Sequence, residues 1–314
     1  MDVEPDAHEA VQDRARLLER LRAVLDRAEL PSPPGDGLRH PAAVDAVHTV
    51  QQALRSGPLS PELRRALAAR LDHVPPPVFG PAEPQDHLSR SVARALRSIP
   101  ARAGADGAPV TADAVRWRGS EREALAQSLG LLARVWPEAA AEVRESVTEV
   151  ALLTGDAIDG YTDFTVHGAV LVHRARLTAS AAGLPGPVRF AEALVHEGAH
   201  TRCNAAALAE PFLLPDRPAD PDAPGRHTGL LVATPLRADP RPLTGLFQQT
   251  VVLARSVLLY RRLTGLGPAV DARHQDLLAS AHQAVTTLTA HTETLTAHGR
   301  RVLAQCATVL GGPA

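Results

Sequence analysis

The sequence predicts a mainly α-helical protein with a small β element: a helical N-terminal region over 1–100, packed on an α-rich metal-binding domain over 101–314. Three observations predict it. Apolar residues recur at intervals of three and four along most of the chain, which is the helical period. One glycine-broken stretch, "GDAIDGYTDFTVHGAVLVHRARL" at 155–177, instead carries β-branched residues in partial alternation, as strands do. And "VPPPVFGPAEP" at 74–84 is the strongest linker signal in the first third. The length of 314 residues allows one large domain or two small ones with a sizeable core.

The elements follow in order. Val11, Ala15, Leu18, Leu21, Val24 and Leu25 predict a helix over 6–29, ended by "LPSPPGDG". Pro41 suits the first turn of a second helix, with Val44, Val47, Val50 and Leu54 on one face. Ser60-Pro61 reads as an N-cap and first-turn proline opening a third helix to about Leu71. A fourth is expected near 86–98, then loop over 101–120. A helix near 121–135 stops at Trp136-Pro137, and another is expected from Glu138 to Leu153. In 155–177, His167 and His173 share a face if the strand is unbroken. Pro187 suits a helix start. The Pro/Asp-rich stretch 210–229 reads as a long loop, a candidate lid or peptide-contacting segment. "TPLRADPRPLTG" at 234–245 reads as a stiff basic turn, followed by helices near 246–264 and 269–310.

Composition bounds the function. The net charge of −2 offers no one-signed surface for nucleic acid or membrane. All basic residues are arginine, which a coding bias explains without function. Two cysteines, Cys203 and Cys306, make neither a disulfide framework nor a zinc ribbon. The acidic start "MDVEPDAHEA" has no apolar core, so no secretory signal is expected, and no apolar run reaches membrane-spanning length. A cytoplasmic protein is the expectation.

The chemistry lies in "LVHEGAH", 194–200. On a helix, positions four apart differ by about 40° in angle and ~6 Å along the axis. His196 and His200 are therefore expected to present imidazoles to one cation, with Glu197 beside them and able to reach a metal-bound water. The small pair Gly198-Ala199 lets another element approach. The longer zinc-peptidase pattern needs a further Gly and His, absent from "HTRCNAAALAE". Glu210, the nearest following glutamate, precedes a proline at a helix end and is badly placed to aim back. The other histidines of the first hundred residues (His8, His40, His48, His73, His87) have no ligand spacing.

"RFAEALVHEGAHTRCN" followed by "TPLRADPRPLTGLFQQTVVLARSVLLYRRL" resembles the HExxH-type peptide-modification proteins. These are encoded beside ribosomally made, post-translationally modified peptides. Members act as iron- and 2-oxoglutarate-dependent β-hydroxylases of peptide side chains, not as proteases. The resemblance covers roughly 130–265: the "GAVLV" strand, the "LVHE-x-x-H" core and the P-x-R-x-D-x-R-P turn. It implies a non-haem iron dioxygenase whose cofactors are Fe(II) and 2-oxoglutarate. Its implied partner is a peptide substrate such as a ribosomally made precursor, with no nucleic acid or membrane partner. His196 and His200 take the iron-ligand positions and Glu197 is the motif acid. Arg237 or Arg241 would pair with the co-substrate's distal carboxylate, oriented by Asp239. The family's third ligand is a histidine after G-x-x; here Gln248 stands there, offering an amide oxygen, and Leu236 replaces an aromatic. Iron held by His196, His200 and Gln248, Glu197 as a ligand itself, and lost metal affinity all stay open. Two rivals remain: a zinc metallohydrolase with Glu197 as general base, and a non-catalytic partner binding peptide through 1–100 or 210–229.

Overall fold

The computed structural model describes residues 1–100, 109–215 and 230–311, and at 237–239 the backbone without side chains. Helix makes up 63% and strand 10%, so a small sheet is inserted in a helical body. Helix α1 (Ala7–Arg27) opens on Asp6, whose carboxylate accepts from the His8 and Glu9 amides. Helix α2 (Pro41–Ser56) has proline in its first turn, and α3 (Pro61–Asp72) is capped by Ser60, which accepts from the Leu63 amide at 3.2 Å. Their apolar faces close on one another through Leu21, Leu25, Val44, Val47, Leu67 and Leu71. Next come β1 (Gly80–Ala82), inside the predicted linker, and α4 (Asp86–Ser98).

Strand β2 (Asp113–Val115) lies within the predicted loop, and residues 101–108 of that loop fall outside the described residues. Helices α5 (Gly119–Val135) and α6 (Pro137–Ser146) meet at Trp136-Pro137. The helix expected from Glu138 to Leu153 ends at Ser146, and its remainder is strand β3 (Glu149–Thr154). The physical reason is burial on both faces. Val150, Ala151, Leu152 and Leu153 are at most 1% exposed, so no polar face gives the stretch a period to read.

Strand β3 organises the sheet. It pairs in parallel with β1 and with β5 (Ala169–His173), and antiparallel with β2; β4 (Gly160–Thr162) runs antiparallel on the far side of β5 and forms the edge. Alternate side chains serve different cores. Val150, Leu152, Val170 and Val172 join the main helical core, whereas Ala151, Leu153, Ala169 and Leu171 pack with Leu88 and Val92 of α4. His167 and His173 do not share an unbroken strand. A turn over Phe164–Val166 and Gly168, at φ +94°, precede β5.

Helix α7 (Gly186–Ala209) carries the motif. Residues 216–229 of the predicted 210–229 lid lie outside the described residues. The basic turn is in fact a hairpin, β6 (Leu231–Thr234) with β7 (Arg237–Pro242). Helix α8 (Leu243–Arg262) follows. The single helix expected over 269–310 is two, α9 (Pro268–Thr289) and α10 (Ala297–Val309). Thr296 caps α10 at the Gly299 amide and also donates to the Pro211 and Phe212 carbonyls, which ties the break to the end of α7.

The first hundred residues are bound to the rest by more than apolar packing. The β1–β3 pairing is one link. Buried His87 and His40 both meet Glu149 of β3, at 2.7 and 3.3 Å. Asp13 of α1 meets Arg202 of α7 at 2.8 Å.

Candidate metal centre

Helix α7 forms because its first turn carries Pro187 and its body is alanine-rich; it stops at Glu210, before Pro211. Its burial pattern fixes its rotation. Leu194 and Arg202 are fully buried on the far side, so the face with His196 and His200 looks the other way, into a cleft of about 1030 Å³. Gly198 lets α6 come close: a Cβ there would stand 3.2 Å from Val143 Cγ2. The predicted close approach at the Gly198-Ala199 pair is made by α6.

The two imidazoles are neighbours. Their ring centroids are 5.2 Å apart at an interplanar angle of 61°. Gln248 of α8 reaches the site through His200, its Oε1 lying 2.9 Å from His200 Nδ1, while its Nε2 donates to Asn204 Oδ1 at 3.0 Å. This chain assigns the tautomer. The Gln248 oxygen accepts from Nδ1–H, which leaves the Nε2 lone pair of His200 for a cation. Gln248 thus orients a ligand in this geometry, a different task from the third-ligand role expected for it.

Glu197 is buried and turned toward the sheet edge. Its Oε2 accepts from Thr162 Oγ1 at 2.6 Å, and its Oε1 stands 4.0 Å from His196 Nε2. Gly160 makes room for it, because a Cβ there would overlap the carboxylate. Burial raises the Glu197 pKa to about 7, against the lowering effect of the Thr162 hydrogen bond. Burial in the cleft wall, then the nearby His200, then Arg176, push His196 down to about 3; burial lowers His200 as well. A third of the His196 side-chain surface is still open, but onto the cleft. Both rings are therefore neutral at physiological pH, the form that ligates a metal.

Residues that the sequence did not single out complete the walls. Glu192, one turn before His196, is buried; it accepts from Tyr260 at 2.6 Å and from Arg273 Nη2 at 2.5 Å. Asp159 holds Arg176 through its Nε at 3.0 and 3.1 Å and through Nη2. Extending the histidine face back by four residues would have found Glu192; no sequence signal links Arg273 or Asp159 to the motif. Of the three residues expected at the co-substrate, Arg241 lines the cleft, and its Nη1 donates to the Ser98 carbonyl at 3.3 Å. The side chains of Arg237 and Asp239 lie outside the described residues.

The donor set suits a cation. Two neutral imidazoles and one carboxylate from adjacent positions are the ligand types of a 2-His-1-carboxylate iron site. His196 and His200 stand side by side on the cleft wall, while Glu197 points to Thr162. Accordingly, no group of three or more His, Cys, Asp or Glu is gathered to hold a metal among the described residues. No helix among them is long and apolar enough to cross a membrane. In comparisons with known proteins, no family model matches the chain, and no curated protein matches it significantly.

Proposed function

We propose that the chain is an Fe(II)/2-oxoglutarate-dependent oxygenase that hydroxylates the β-carbon of a side chain in a peptide or amino-acid substrate of natural-product biosynthesis. The observation that carries this reading is the pair of imidazoles, 5.2 Å apart on one helix face, at the wall of a cleft of about 1030 Å³. That volume exceeds what a small co-substrate needs and leaves room for a second molecule. The resemblance of the motif helix and the following turn to the peptide β-hydroxylases supplies the reaction class.

His196 and His200 would hold the ion, and Glu197 is the nearest carboxylate to it. When bound, iron and 2-oxoglutarate supply an oxidative decarboxylation that puts one oxygen atom of O₂ into a substrate C–H bond and the other into succinate. The chain's own residues prepare for this. Gln248 and Asn204 fix the His200 ring and its proton. Thr162 and Gly160 set where the Glu197 carboxylate can lie. Arg241 remains a candidate partner for the co-substrate's distal carboxylate, since a guanidinium fork matches a carboxylate.

A second reading, zinc-dependent hydrolysis, is favoured by one observation: a Glu197 pKa of about 7 is that of a general base poised near neutrality. The test is aerobic incubation of purified protein with Fe(II), ascorbate, 2-oxoglutarate and candidate peptides. Succinate release that disappears in His196→Ala supports oxygenation. Stoichiometric zinc with peptide cleavage that disappears in Glu197→Gln, and no succinate, supports hydrolysis.

A further inference from the structure

One end of the same cleft holds two arginines from different elements. Arg176 follows β5, and Arg273 lies on α9; both line the cleft with His196. Each is fixed through the same edge of its guanidinium. Asp159 takes Nε and Nη2 of Arg176, and Glu192 takes Nε and Nη2 of Arg273. The Nη1 group of each is left out of these bonds, and Tyr260 also stands beside the Arg273 guanidinium. Glu192 is itself held by Tyr260 and lies one turn, ~6 Å, from His196 along α7. Glu192 is buried, yet Arg273 beside it keeps 34% of its side-chain surface open. Arg176 keeps 23% open next to Asp159, which is itself 60% exposed.

We infer that Arg176 and Arg273 form a carboxylate-binding subsite, about one helical turn from the histidine pair. The acids orient the two planes, and the Nη1 groups form the recognition edge. Preorganised arginines lose less rotamer freedom on binding, and their forks match a carboxylate in geometry. The ligand is a molecule with one carboxylate at this end and its other polar end at the histidines. A short dicarboxylate co-substrate and an acidic or C-terminal carboxylate of a peptide share that chemistry. The inference rests on the cleft's being the substrate site proposed above, but not on iron or on oxygen chemistry.

The test is metal-free binding of glutarate to the full chain, followed by ligand-observed NMR and thermal shift. Expected results are saturable binding to the wild type, at least tenfold weaker binding in Arg176→Met and in Arg273→Met, and a smaller loss in Arg273→Lys, which keeps the charge without the fork. Exposed Arg65→Met is the control and is expected to bind like the wild type. Circular dichroism separates lost binding from lost folding. If Arg273→Met does not fold, Arg176→Met and Arg273→Lys decide. Glutarate displaced by 2-oxoglutarate identifies the co-substrate end; glutarate displaced by a peptide with a free C-terminus but not by its amide, or by an Asp-containing peptide, identifies the substrate. Folded Arg176→Met and Arg273→Lys that bind glutarate like the wild type would overturn the subsite, as would a wild type that binds none. Loss in the variants without any succinate release by the wild type keeps the subsite and removes the oxygenase reading. Succinate release with undiminished glutarate binding in both variants does the reverse.

Discussion

Glu197 has little freedom, and its neighbours decide what it can do. The Thr162 hydroxyl favours its ionised form, and burial opposes it. Thr162→Val therefore removes the main opposition to burial, leaving only Arg176, and moves the carboxyl's titration further above its ordinary value. Because a ligating or metal-facing carboxylate must be deprotonated, half-loading with Fe(II) or Co(II) is expected at higher pH in this variant than in the wild type. An unchanged loading profile would detach Glu197 from the metal. Gly160→Ala places a Cβ against the same carboxylate. It is expected to weaken metal binding at least tenfold while costing about 1–3 kcal/mol of stability, as overpacking does; titration calorimetry and thermal melts read the two effects separately. Gln248→Leu removes the acceptor of His200 Nδ1 and the donor to Asn204. Loss of such an outer partner costs about 10–100-fold in metal affinity. The motif residues were legible in the sequence because helical geometry alone makes i and i+4 converge. Thr162 and Gly160 were not, since a sheet edge meets the helix only in the fold.

The amphipathic helices announced themselves by period: α1, α2, α3 and α4 fall where their apolar spacing and caps put them. Strand β3 did not, because it is buried on both faces and lacks alternation. The α9–α10 break was hidden too. The run of threonines before it weakens helix propensity without stopping a helix. What stops it is tertiary. Gly299 packs on the Phe212 carbonyl so closely that a Cβ would overlap it. Gly299→Ala is thus expected to lose about 1–3 kcal/mol in denaturant unfolding; a neutral result would mean that α10 is not clamped there. The turn before β5 carries a pH signature. His167 is buried, its Nδ1 has no hydrogen-bond partner among the described residues, and burial, with Arg202 and Arg14 nearby, pushes its pKa down from 6.5 to about 4. The unfolded chain therefore binds the proton that the folded chain refuses. This stability is fully present above about pH 6.5 and is lost as pH falls toward 4. His167→Phe is expected to flatten that part of the melting-temperature profile; an equally steep profile would assign the effect to the other histidines that burial holds low, His40, His48, His196 and His200.

At the scale of the molecule, the sequence suggests a helical region ending near residue 100, and the linker it is read from becomes strand β1. Prolines and glycines mark a turn or an edge strand as readily as a domain boundary, so the pairing partner decides. Here β1 joins β3. On the opposite side of α7 from the cleft, Arg202 is 1% exposed and meets Asp13, Glu9 and Glu142 at 2.8, 3.1 and 3.2 Å. The motif helix is therefore anchored to α1 by charge that only the intact chain can satisfy. Arg202→Met removes a buried partner from all three carboxylates, of which Glu142 keeps Arg255, Asp13 keeps Arg16 and Glu9 keeps the Met1 amine; breaking a buried pair costs about 3–5 kcal/mol. One cooperative unfolding transition is expected for the whole chain, with residues 101–314 alone failing to give a folded spectrum. Two separable transitions would show that the parts are independent.

The effects at Thr162, Gly160 and Gln248 all require that His196 and His200 hold a single cation together. Anaerobic calorimetric titration of metal-free protein with Fe(II) tests it most directly, in the wild type, His196→Ala and His200→Ala. One ion per chain is expected in the wild type, with at least a hundredfold loss of affinity in each variant. No binding in the wild type, or equal binding in all three folded proteins, would contradict it.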